Sequence, residues 1–162
     1  SPVLCFAVFL LVRITVVSAA EPVRVGIIGI GNYQGLAFTQ LWHKPPEDNP
    51  DLLGLKVTAA WKGGSPDLEK TLSDVERWEP RLIEQGVKIE DSIEGVLKNC
   101  DAVMVMTVDG RAHLKLTEHA LRAGKPTYIG RPMAASLEDV IAIFDLAKKY
   151  DTPVFSLSLI HI

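Results

Sequence analysis

Cysteine is scarce in this chain: only Cys5 and Cys100 occur in 162 residues. That count excludes the disulfide framework of a small secreted scaffold. The four histidines, His43, His113, His119 and His161, have no cysteine or histidine partner at metal-ligand spacing, so no metal site is predicted. His113 and His119 stand six residues apart, which does not place them on one helical face. Basic residues are outnumbered, 17 Lys and Arg against 20 Asp and Glu, and they are scattered. The basic stripe demanded by a phosphate backbone is missing, so nucleic acid is excluded as a partner. Internal repeats and low-complexity tracts are absent too. What remains is an ordinary globular composition, 48% hydrophobic and 23% charged with a net charge of -3, enough to build the core of one domain.

Residues 2–17 read PVLCFAVFLLVRITVV, interrupted only by Arg13, and Ser18-Ala19-Ala20 follows. A hydrophobic stretch ahead of small residues is the pattern of an export leader with cleavage before Glu21, and the stretch is short for a membrane span. Residues 1–20 are therefore expected to be a signal peptide and 21–156 the domain. The expected location is the periplasm or another extracytoplasmic space, with membrane contact only through the leader. A membrane-anchored or cytoplasmic protein is the alternative.

From Val23 onward short apolar runs alternate with helical segments, the pattern of βαβ units and a parallel sheet. Strands are predicted at 23–28, 55–61, 87–89, 101–107, 126–129 and from 153. The run 101–107 (DAVMVMT) is nearly all apolar, as a central strand buried on both faces requires. Helices are predicted at 36–42, from Ser65-Pro66 onward, at 93–98 behind Ser92, at 113–123, and behind Ser136 with Asp139 as its capping partner. In the second of these, Leu68, Leu72, Val75 and Trp78 recur at helical spacing and read as core. Pro80 is expected to break or kink it, leaving 81–85 as a separate turn. The predicted fold class is α/β: a doubly wound parallel sheet of Rossmann type in three αβα layers, with ligand at the carboxyl ends of the strands.

The chemistry lies in the turn Gly29-Ile30-Gly31-Asn32-Tyr33-Gln34-Gly35, directly after a strand and opening a helix. Gly29 supplies a tight turn, and Gly31 lets backbone N–H groups approach a pyrophosphate at the positive helix end. The third position of G-x-G-x-x-G is Gln34, with Gly35 one place late. An acid is expected at the end of the second strand to hold the adenine ribose. The chain has Trp61-Lys62-Gly63 there instead. Trp61 suits stacking on adenine and Lys62 suits a 2′-phosphate, which tilts the cofactor expectation from NAD toward NADP. The bland readings, a surface tryptophan and a solvated lysine, stay open.

From about Val23 to Ser156 the sequence resembles the amino-terminal domain of the glucose-fructose oxidoreductase and inositol dehydrogenase (Gfo/Idh/MocA) family. The segments that carry the resemblance are VRVGIIGIGN, DAVMVMTVDGRAHLKLTEHALRAGKPTYIGRPMAASLEDV and AKKYDTPVFS. The resemblance implies that Thr107, Val108 and Asp109 lie beside the nicotinamide ribose and that His113 opens the next helix near the cofactor; a helix-start residue bonding local backbone is the other reading of His113. The family usually has Glu-Lys-Pro after the fifth strand, where this chain has Gly130-Arg131-Pro132. Arg131 keeps the positive charge of that lysine without its titratable amine. It is the one catalytic candidate this domain offers.

The resemblance further implies a carboxyl-terminal α/β domain, missing from this sequence, that holds the substrate, a sugar or polyol. Residues 157–162 depart from the family pattern and read as a truncated or non-native tail, so His161 is not assigned a role. The expected function is the NAD(P)-binding domain of an oxidoreductase acting on sugars, polyols or related carbohydrates, the fragment being inactive alone. The alternative is an exported non-catalytic binding protein with a degenerate Rossmann site. A homo-oligomer is an open expectation for the full-length protein.

Overall fold

The computed structural model describes residues 21–64 and 69–157. The leader assigned to 1–20, the Ser65-Pro66 helix start, Leu68, the Leu72 side chain and the tail after Leu157 lie outside the described residues.

Strand and helix alternate along the chain: β1 Val23–Ile28, α1 Tyr33–His43, β2 Leu55–Trp61, α2 Glu69–Glu84, β3 Lys88–Glu90, α3 Ile93–Lys98, β4 Ala102–Val105, α4 Gly110–Arg122, β5 Thr127–Ile129, α5 Leu137–Lys149 and β6 Val154–Ser156. The six strands form one sheet in the order β3-β2-β1-β4-β5-β6, and every neighbouring pair is parallel. This is the doubly wound order, whose direction reverses between β1 and β4 and opens a crevice at their carboxyl ends. β4 is sealed on both faces, with Val103, Met104 and Val105 buried, as its unbroken apolar run requires.

Each face of the sheet has its own core. On one, Leu36 of α1 and Leu82 of α2 pack on Val25, Ile27, Val57 and Met104. On the other, Ile93 and Val96 of α3 and Leu116 and Ala120 of α4 cover Ile28, Ala59, Val103 and Val105. Each fully buried aliphatic side chain stabilises by roughly 1.5–3 kcal/mol. The first face is only partly roofed. Beyond α1 an apolar trough of about 300 Å³ runs past Phe38, Trp42, Met104, Tyr128 and Phe155, and Phe155 is 55% exposed.

Several predicted boundaries move. α2 runs unbroken through Pro80, correcting the expected break. Pro80 and the residue four before it, Glu76, are both exposed, so water can satisfy the carbonyl that a proline leaves unbonded. α1 and α4 each begin three residues earlier than predicted, because Asn32 and Asp109 cap them. Ser136 caps α5 by accepting from Asp139 N at 3.1 Å. In α5, Ile143 and Ala147 face inward, while Leu137, Ile141 and Phe144 are exposed.

The amino ends of the central strands are tied by charge. Arg24 Nη2 meets Asp101 Oδ1 at 2.6 Å and Arg24 Nε meets Oδ2 at 2.9 Å. The Arg24 guanidinium holds the Asp101 carboxyl down at about 2. On the flank, His43 joins three elements. Its Nε2 accepts from Val57 N at 3.1 Å, so its Nδ1 is the nitrogen that donates to Gln85 O, also at 3.1 Å.

Candidate functional site

The glycine turn leaves β1 at the carboxyl edge of the sheet. Gly29 has φ +85, and a Cβ there would overlap Thr107 Cγ2 and lie 3.0 Å from Thr107 N. Only glycine therefore lets the two strand ends come this close. Gly29 N donates to Trp61 O at 2.8 Å, tying the turn to β2. Ile30 is buried and can offer a ligand its backbone only. Asn32 Oδ1 accepts from Gln34 N at 2.9 Å, setting the first turn of α1 so that its amide ends face the crevice, where an anion is favoured. The late glycine has a place: Gly35 is buried, and a Cβ there would meet Ile27 Cδ1 at an ordinary 3.6 Å. A small side chain would also fit at Gly35, so helix-on-strand packing does not depend on a glycine there, and Gln34 turns to the crevice.

The end of β4 supplies the floor. Thr107 is buried, and its Oγ1 has no hydrogen-bond partner among the described residues. Val108 beside it is 39% exposed. Asp109 accepts from Arg111 N at 3.0 Å and meets the Arg111 guanidinium at 2.7 Å, so its carboxylate is engaged as a helix cap. His113 lies beneath the floor with no exposed surface. Its Nε2 stands 2.9 Å from Thr107 O and its Nδ1 3.1 Å from Met133 O. The local-backbone reading of His113 therefore describes its contacts, and those contacts join the end of β4 to the turn after β5.

That turn is the third wall. Gly130 N donates to Val105 O at 2.8 Å, and the Arg131–Pro132 peptide is cis. The backbone of Ala134 lies so near Gly110 that a Cβ on Gly110 would stand 2.8 Å from Ala134 C. Two contacts, Gly110 with Ala134 and His113 with Met133, thus press the segment carrying Arg131 onto the first turn of α4.

Together these walls enclose a cleft of about 790 Å³ that includes Gly31, Asn32, Tyr33, Gln34, Val108, Arg131 and Pro132. Asp74, Arg77 and Trp78 of α2 also line it, and sequence reasoning missed them. Trp78 was absorbed into an apolar stripe, yet positions 74, 77 and 78 share one helical face, a polar edge that could have been read. Trp61 and Lys62 lie outside this lining. Trp61 is half-buried and packs toward the α3 and α4 side. Lys62 Nζ pairs with Glu79 Oε1 at 3.2 Å, so the cation expected to meet a 2′-phosphate already has a carboxylate partner.

Residues 23–157 match the family model described as oxidoreductase family, NAD-binding Rossmann fold (GFO_IDH_MocA). Similar solved structures include an NAD-binding protein from Listeria innocua, 25% identical with a TM-score of 0.61, the match covering 84% of this chain and 35% of that one. An oxidoreductase from Agrobacterium radiobacter in complex with NAD+, L-tartaric acid and magnesium is 18% identical with a TM-score of 0.63, over 83% of this chain and 34% of that one. A 3-ketoreductase from Actinomadura kijaniata, in complex with TDP-benzene and NADP, is 21% identical with a TM-score of 0.60, over 83% and 38%. The chain thus spans little more than a third of the length of these relatives. No curated protein matches the chain.

Proposed function

Since the chain belongs to the Gfo/Idh/MocA oxidoreductase family and forms its NAD-binding Rossmann domain, we propose that it serves an NAD(P)-dependent oxidoreductase of sugars, polyols or related carbohydrates. The observation that carries this reading is the crevice at the sheet's switch point. There the left-handed Gly29 turn, the capped amino end of α1 and Val108 converge. These groups suit a dinucleotide: backbone amides toward the pyrophosphate and Val108 as an apolar floor. The cofactor, when bound, supplies hydride transfer. The chain's own part is to orient it and to set the local charge. Arg131 contributes a fixed positive charge in the cleft and cannot give up a proton at working pH, so a proton relay at this position is absent from the scheme. The substrate and its acid or base belong to the remainder of the full-length protein.

For cofactor choice, the missing acid after β2 favours NADP over NAD, and the Lys62–Glu79 pair narrows the margin. The export leader remains part of the reading; amino-terminal sequencing of exported protein should begin at Glu21.

The deciding experiment titrates the protein with NADH and NADPH by fluorescence, then follows absorbance near 340 nm with a sugar panel in the full-length form. Failure to bind either nucleotide would sink the reading. Binding without turnover, restored by Arg131→Lys, would identify a degenerate site in a non-catalytic binding protein. Lysine alone is the cleaner restoration, because a side chain at Gly130 would place its Cβ 3.2 Å from Val105 O.

A further inference from the structure

We propose that Arg77 and Arg131 form a two-guanidinium clamp for an oxyanion, a carboxylate or phosphate, presented in the cleft above the glycine turn. The proposal rests on the cleft assigned above to the dinucleotide, and it adds an element, α2, that the motif reading left out.

Charge pairing leads to it. Among the described arginines, Arg24, Arg111 and Arg122 meet carboxylates. Arg77, Arg81 and Arg131 have no such partner among the described residues. Two of these three, Arg77 and Arg131, line one cleft of about 790 Å³, where Asp74 is the only carboxylate among the described residues. Like charges facing a shared cavity repel each other and resist losing water, so the arrangement is unfavourable until an anion joins it. The amino end of α1 opens into the same space and adds its positive pole. Every fixed charge there except Asp74 therefore favours an anionic guest.

Arg77 is held ready for one. Its guanidinium carbon lies 4.6 Å from the centroid of Trp78, a cation–π contact that limits the rotamers of an otherwise exposed side chain. A guanidinium so oriented loses little further freedom on making a forked pair with a carboxylate or phosphate. Arg81 stacks on the same indole at 5.3 Å but does not line the cleft. It is an internal control: the same stacking without access to the guest.

Two sources carry this chemistry, the pyrophosphate of the dinucleotide and an acidic substituent on the substrate, such as a uronate or a sugar phosphate. Calorimetric titration of the full chain with NADH, NADPH, inorganic phosphate, glucuronate and neutral glucose separates them, in the wild type and in Arg77→Ala, Arg131→Ala and Arg81→Ala. The clamp requires each cleft variant to weaken at least one anionic probe about tenfold, the scale of one charge-assisted hydrogen bond, with Arg81→Ala unchanged. A loss shared by NADH and NADPH alone identifies the pyrophosphate; a loss confined to glucuronate or phosphate identifies an acidic substrate group. Wild-type affinity for every anion in Arg77→Ala, equal losses in Arg81→Ala, or no anion bound by the wild type would overturn the clamp. If Arg77→Ala binds every anionic probe, NADPH included, at full strength, the clamp falls and the cofactor reading stands. If glucuronate or phosphate binds through Arg77 while neither NADH nor NADPH binds, the reverse holds.

Discussion

The two ends of this sheet treat charge in opposite ways. At the amino ends of the central strands Arg24 and Asp101 are matched by two side-chain hydrogen bonds, and Lys125 Nζ donates to Cys100 O at 2.8 Å. At the carboxyl ends Arg77 and Arg131 line a cleft without carboxylate partners of their own among the described residues. The matched end contributes to holding the fold, and the unmatched end leaves its arginines for a guest. The division follows from parallel strands, since all six present their carboxyl ends, with the loops and helix amino termini that follow, on the same side.

The largest blow to the contrast is Gly29→Ala. Left-handed strain and overlap with Thr107 together should destabilise by about 2–6 kcal/mol and abolish nucleotide binding, read by thermal unfolding and nucleotide titration; a variant that unfolds like the wild type would show that the strand ends can part. Next comes His113→Leu, which removes the ring nitrogens from the carbonyls of Thr107 and Met133, to one of which a neutral imidazole donates. It should cost about 1–3 kcal/mol and weaken nucleotide binding through displacement of the Arg131 segment. His113→Gln, which can still donate to one carbonyl, should recover part of both. Equal losses in the two variants would mean that the ring's volume matters and its hydrogen bonds do not.

The smallest effect sits at the matched end. Asp101 has a carboxyl lowered from 3.8 to about 2, so its contribution to stability is present above the ordinary carboxylate range and is lost as pH falls through about 2. Asp101→Asn should lower the midpoint of thermal unfolding slightly at neutral pH, less at high salt because the pair is exposed. The difference should vanish below about pH 2, with nucleotide affinity unchanged throughout. A gap that persists at the acid end would assign the effect to something other than the Arg24 pair.

The alternation of strands and helices and the glycine turn were legible because they rest on local pattern: β-branched runs, an apolar β4, and glycines between a strand and a helix. The caps were less so. Asn32 and Asp109 act through side-chain bonds to amides two residues on, a local signal obscured by the glycines around them. Pro80 misled because the rule against proline inside a helix weakens where the abandoned carbonyl faces water. The cleft's α2 wall was hidden for a different reason: which helical face meets the glycine turn is decided by how α2 packs beside α1, not by anything within α2. The identity of Arg131 was readable, but its placement over α4 depends on long-range contacts at Ala134 and Met133.

Cys100 gives the molecule a clock. Its thiol is wholly enclosed, and burial pushes it up from its ordinary range, so a thiol reagent must wait for the protein to open before it can react. With Cys5 replaced by serine, the rate of labelling counts openings at the matched end of the sheet while nucleotide is added at the other. Slowed labelling would mean that the two ends open as one cooperative unit.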